Sequence, residues 1–172
     1  GYTLVAIQSF EPNTNYYLHP NGKWLAGYRP AFYRAHPFVL QPTQKENQLQ
    51  LCIREDALYP VEEADEPFFD GDEHSSAIKE VINFLGESYK SRVATAKAVK
   101  LLQQVGAIVP WPITVKQTNQ DGESEDKTIQ GLFRVDEQKL AALTVEQYQA
   151  LVRSGAMRIA YAQMISQARL QD

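Results

Sequence analysis

The sequence holds a single cysteine, Cys52, in 172 residues, so no intrachain disulfide can form and no pair of thiolates can grip a metal. Its three histidines, His19, His36 and His74, stand at no ligand spacing from one another, and no zinc site is expected. Cations are not in excess either. Seventeen Lys and Arg against 21 Asp and Glu leave a net charge of -4, which weighs against nucleic acid as a partner, because that affinity rests on clustered positive charge. No apolar run approaches the roughly 18 residues that span a bilayer, and no basic-then-apolar leader opens the chain. No transmembrane segment is therefore expected, and a lone cysteine suits a reducing, cytoplasmic setting. The chain opens on Gly1, just ahead of the apolar run Leu4-Val5-Ala6-Ile7, so natural residues are expected to precede it. Gly-x-Ser-x-Gly, a phosphate-cradling loop ending in Lys-Ser/Thr and Gly-x-Gly-x-x-Gly are all missing, which leaves no fingerprint of a hydrolase, a nucleotide site or a dinucleotide cofactor. No cofactor is expected.

What is present suffices for one folded domain over residues 1–172: 44% of the residues are hydrophobic and 22% charged, ordinary values for a chain that buries a core. Tyr2 to Gln8 reads as a strand. Asn15 to Leu18 and Lys23 to Ala26 read as a hairpin around Pro20-Asn21-Gly22, since Asn-Gly suits a type I′ turn. Pro30 and Pro37 confine Ala31 to His36 to a short helix at most. Gln48 to Arg54 alternates as a strand with Leu49, Leu51 and Ile53 on one face, and residues 55–74 form an irregular acidic connection.

From Ser76, the expected N-cap, apolar residues recur in steps of three and four at Ile78, Ile82, Leu85, Tyr89, Val93, Ala96, Val99 and Leu102. That spacing predicts a long helix stopping at Gly106, with Gly86 a point where it could kink or divide in two. Ile113 to Gln117 and Thr128 to Val135 read as a second hairpin around an exposed, mobile polar loop at 119–126. Asp136 can cap a short helix over Glu137 to Ala142, and Thr144-Val145-Glu146-Gln147 has the form of a capping box, so two or three helices close the chain. The layout is α+β: antiparallel hairpins packed with a long central helix and a C-terminal helical segment. The apolar face of the Asn21-Gly22 hairpin is expected to lie on the long helix.

Chemistry-bearing groups are few. His74 with Asp70, Asp72 and Glu73 could offer oxygen and imidazole ligands, but an acidic loop ahead of a helix N-terminus is the expected role. Cys52 is read as a small residue of a strand rather than a nucleophile, with His36 its candidate base only if the fold joins them. The densest constellation runs from Asn15 to Phe38, where Tyr16, Tyr17, Trp24, Tyr28, Phe32 and Tyr33 stand beside Arg29 and Arg34. Rings with arginines make either a recognition surface or a core fringed by snorkelling cations, and most of these rings are expected in the core. Asn15, Trp24, Tyr28, Arg34 and His36 are the candidate binding residues. Arg34 is either a strut, answered by an internal carboxylate or carbonyls, or a clamp for a ligand carboxylate.

The same segment carries a family likeness. Asn15-Tyr16-Tyr17-Leu18, Asn21-Gly22-Lys23-Trp24, Tyr28-Arg29-Pro30-Ala31, Arg34 and Pro37-Phe38-Val39-Leu40 resemble the SapC family of bacterial proteins, with its Asn-aromatic, Gly-x-Trp, Tyr-x-Pro-Ala and Arg-x-x-Pro-Phe elements. The likeness continues through Leu51-Cys52-Ile53, Pro67-Phe68-Phe69-Asp70, Gly131 to Asp136, and Gly155-Ala156 with Ala160-Tyr161-Ala162. His36 stands where Tyr is more usual, and Arg54 where Asp is expected. The resemblance implies a non-catalytic accessory or binding protein for surface-layer or peptide handling, with a protein or peptide partner; the family's residues set no oligomeric state. Its alternative is a peptide- or amino-acid-modifying enzyme with an unrecognised site, since related genes lie near flavin-dependent halogenases and cupin-type oxygenases. No catalytic residues carry over.

Overall fold

Apolar residues at helical spacing produce the longest element, an unbroken 29-residue helix, α2 (Ser76–Gln104). The structure is a computed structural model that describes residues 1–45, 48–60, 66–118 and 124–170. Its N-cap is Ser75 rather than Ser76: the buried Ser75 hydroxyl accepts the Ile78 N–H at 3.4 Å. At the other end Gly106 takes φ +69°, its N–H donating to Gln103 O at 3.0 Å while Ala107 N–H donates to Leu102 O at 3.0 Å. This is a Schellman closure, and its accompanying apolar pair, Leu102 and Ala107, is buried. Ile78, Leu85, Val99 and Leu102 are buried on the helix as their spacing predicts, but Ala96 is exposed and Ala98 takes its place. The chain forms two compact units, a central one (16–93) and a terminal one (1–15 with 94–172), and α2 contributes to each.

The terminal unit contains the larger cluster of buried residues. Ala98, Leu102, Ala107, Val135, Leu140, Leu151, Ala156, Met157 and Ala160 pack together, so one face of α2 meets the C-terminal helices and a strand. A β-ribbon supplies that strand. β5 (Ile108–Pro110) pairs antiparallel with β8 (Phe133–Val135), and β6 (Ile113–Thr118) with β7 (Ser124–Ile129). The predicted second hairpin is thus split into two ladders, because Pro110 and Pro112 lack the N–H groups that a continuous ladder needs. Trp111 N–H bridges the break to Leu132 O at 2.8 Å. The predicted mobile loop lies outside the described residues at 119–123, and its residues 124–126 belong to β7.

Three helices follow. Asp136 caps α3 (Glu137–Ala141) through the Lys139 N–H, and both halves of the Thr144/Gln147 capping box form at the start of α4 (Val145–Arg153). α5 (Ala156–Gln167) reaches back to the ribbon, where the Gln163 amide oxygen accepts the N–H of buried Val135 at 3.0 Å. Residues 2–8, predicted as a strand, pair with no strand. β-rich composition creates a ladder only where a partner edge is supplied, and here Tyr2 instead sets its ring against Phe133 at 4.7 Å.

The central unit has far fewer buried apolar residues, with Ile78 and Leu85 its only buried hydrophobic residues among those described. It begins with a turn, then α1 (Ala31–Ala35), the short helix that Pro30 and Pro37 permit. A ribbon of β1 (Phe38–Pro42) and β2 (Leu49–Ile53) follows, in which Phe38 faces Ile53 and Leu40 faces Leu51. Only β2 was predicted; β1 lies between Pro37 and Pro42, residues that argue against a central strand but suit an edge of a two-stranded ribbon. Within the acidic connection, β3 (Phe69–Asp70) and β4 (Glu73–His74) make a minimal ribbon just before α2. Glu73 in that ribbon pairs with Lys79 of the helix's first turn at 2.6 Å.

Candidate functional site: an exposed aromatic surface

The ring-rich segment opens the central unit, and its turn differs in detail from the predicted type I′. Gly22 N–H donates to His19 O at 2.8 Å and His19 N–H to Lys23 O at 2.9 Å. Gly22 alone takes a positive φ, +84°, while Asn21 does not. Pro20 in the second turn position presets the backbone for the commoner turn, and glycine absorbs the left-handed residue that follows. The strands on either side shrink to one bridge, Leu18 to Trp24.

This geometry brings rings together in a chain. Trp24 stacks on Tyr17 with centroids 5.8 Å apart and an interplanar angle of 22°, and touches Tyr33 at 5.4 Å; Tyr33 meets Phe32 edge-on at 5.5 Å. The Trp24 indole N–H donates to the Tyr28 carbonyl at 3.0 Å, so Trp24 pins the loop that carries Tyr28. Half-buried Trp24 thus organises the surface while its neighbours form the outside of it. Phe32 is 83% exposed, Tyr28 65% and Tyr16 60%, and Tyr17, Leu18, Leu25 and Tyr33 are also exposed. The expectation that most of these rings lie in the core is therefore corrected, and Leu18 and Leu25 of the hairpin are exposed with them. The central unit buries too little apolar area to enclose them, and a two-residue bridge gives them no sheet to stand on.

Arg34 lacks the internal carboxylate foreseen for a strut. It is exposed, and its guanidinium carbon lies 4.5 Å from the centroid of Phe84 on α2, a cation–π contact. No carboxylate among the described residues answers it. Phe84 could not have been found from spacing, because it is off the helix stripe formed by Leu85 and Ile82.

Trp24, Tyr28 and Arg34 thus belong to one surface segment. His36 is exposed just beyond α1, where its peptide to Pro37 is cis, and it lies close enough to Asp56 to favour that carboxylate's charged form. The main cause of the depressed Asp56 pKa is the hydrogen bond from Arg54, whose guanidinium grips Asp56 at 2.6 and 2.9 Å. Arg54, out of place in the family pattern, therefore has a local partner. Asn15 belongs to the terminal unit, where its amide donates to Gln8 at 3.0 Å.

The remaining candidates separate. Across from Cys52 the ribbon register sets Val39, not His36, and the thiol's neighbour is the Gln50 carbonyl at 3.9 Å. His74 lies against the Phe69 ring at 5.3 Å, Glu73 is engaged with Lys79, and the described residues hold no cluster of three or more His, Cys, Asp and Glu able to enclose a metal. An open depression of about 400 Å³ lies by the β1–β2 hairpin tip, bordered by Pro42, Thr43, Leu49 and Tyr89. No helix among the described residues is long and apolar enough to cross a membrane.

Elements and surface together describe an α+β protein that displays aromatic side chains on its smaller-cored unit. The family model described as SapC matches residues 1–172, and the chain belongs to the SapC family. No curated protein and no solved structure matches it significantly.

Proposed function

We propose that this SapC-family chain is a non-catalytic binding protein that engages a peptide or protein partner, in surface-layer or peptide handling, through residues 16–34. The observation that carries the reading is the display of seven large apolar side chains in water between Tyr16 and Tyr33. Full burial of such a side chain is worth roughly 1.5–3 kcal/mol and each of these forgoes a part of it, so a concentration of them over 18 residues favours a surface that is covered in use. Aromatic side chains with few rotatable bonds suit that task, because ordering them on contact costs little entropy. Trp24 holds the surface in shape; Tyr28, Phe32 and Arg34 make the contacts, with His36 at the edge. Selection from a displayed random-peptide library tests this, using wild type and a Tyr28→Ser/Phe32→Ser variant. Wild type should enrich peptides that the variant does not, at equal melting temperatures, since both side chains are exposed. Recovery of the same peptides by both proteins would refute the reading.

A further inference from the structure

The aromatic surface has a charge that the whole chain hides. Residues 12–45 contain Lys23, Arg29, Arg34 and Lys45 and no Asp or Glu, a local charge of +4 in a chain whose total is -4. Three of those cations are bonded in sequence to a ring residue: Lys23 to Trp24, Arg29 to Tyr28 and Arg34 to Tyr33. All three are exposed, and none is ion-paired among the described residues. The carboxylates of the neighbouring acidic stretch that are described in pairs serve other cations, Asp56 with Arg54 and Glu73 with Lys79.

Resting on the binding reading above, we infer that the partner of this surface is an acidic peptide segment, one that alternates carboxylates with apolar or aromatic side chains. Ring contacts supply area, and cations set beside three of the rings answer carboxylates one residue away from the partner's own apolar groups. A nucleic acid also combines negative charge with stacking faces, but charge distribution opposes it. The described residues between 54 and 73 carry six acidic residues against Arg54, a net -5 within the same unit, which repels a dense polyphosphate more than a peptide bearing a few carboxylates. Four cations also release too few counterions to hold a long phosphate chain.

The experiment is calorimetric titration of the full chain at low salt with a capped octapeptide alternating Glu with Phe and Leu, its Gln-for-Glu and Lys-for-Glu counterparts, and an oligothymidylate. The Glu peptide should bind about tenfold more tightly than the Gln peptide, the combined effect of a few exposed ion pairs, and that advantage should shrink as salt is raised. Lys23→Gln/Arg29→Gln should remove most of the advantage without moving the melt; adding Arg34→Gln should remove the rest, although loss of the contact with Phe84 can lower stability. Phe32→Ser should weaken both peptides alike. Equal or tighter binding of the Gln or Lys peptide, or preference for the oligothymidylate, would overturn the acidic-peptide inference while leaving a binding surface in place. Failure of every peptide to bind would overturn the binding reading itself, and this inference with it.

Discussion

Gly86 and Gly106 offer a test in which backbone angle alone decides the sign of a mutation. A methyl group built on either α-carbon meets no atom within 4 Å, so neither substitution is opposed by packing nor rewarded by it. Gly86 lies inside α2, where glycine pays a larger backbone entropy than alanine to adopt helical angles. Gly86→Ala should therefore stabilise by about 0.5–1 kcal/mol, a rise of about 1–4 °C in melting temperature for a protein of this size. Gly106 has φ +69°, where the Cβ of an L-residue crowds the following carbonyl. Gly106→Ala should cost about 1–2 kcal/mol and weaken the closure that sets Ala107 against Leu102. Urea denaturation followed by circular dichroism measures both. If Gly86→Ala destabilised, or if the two substitutions moved stability in the same direction, the assignment of an unbroken helix ending at a left-handed glycine would be refuted.

Removing the amide of Gln163 should leave the buried Val135 N–H without its acceptor: Gln163→Ala is expected to lower unfolding free energy by about 1–3 kcal/mol, and Gln163→Glu, which keeps an acceptor oxygen, by less. Comparison of their denaturant midpoints checks this. Thr144→Ala should cost about 1 kcal/mol by opening the capping box of α4, read as a lower thermal midpoint; Thr144→Ser should be nearly neutral. Among the described residues two carboxyls titrate below their ordinary range, Asp56 through the Arg54 hydrogen bond and Glu146 through its own backbone N–H and the Thr144 hydroxyl. Because folding lowers these values, their contribution is present above the unfolded carboxylate range and is lost as pH falls through the folded values. Carboxyl NMR titration should show Asp56 rising toward its ordinary range in Arg54→Gln, and an unchanged Asp56 would refute the pairing.

Periodicity and capping were legible because they act over one to four residues. The long helix, the N-caps of α3 and α4, the short helix between Pro30 and Pro37 and the α+β class all follow from such local signals. The family likeness was equally legible, in the ordered motifs from Asn15 to Leu40, and the family match spans the chain. Strand pairing was not. Tyr2 to Gln8 has strand composition without a strand partner, whereas Phe38 to Pro42 pairs despite its prolines, because a ladder requires a second edge that composition does not supply. Burial of the rings was likewise decided only in three dimensions. Trp24, Tyr28 and Phe32 are apolar in any context, yet whether they become core depends on how much neighbouring surface the central unit can fold over them. That unit buries Ile78 and Leu85, half-buries Trp24 and leaves Tyr28 and Phe32 outside, so the sequence by itself determined that an aromatic, basic segment exists, and tertiary structure decided that most of it faces water.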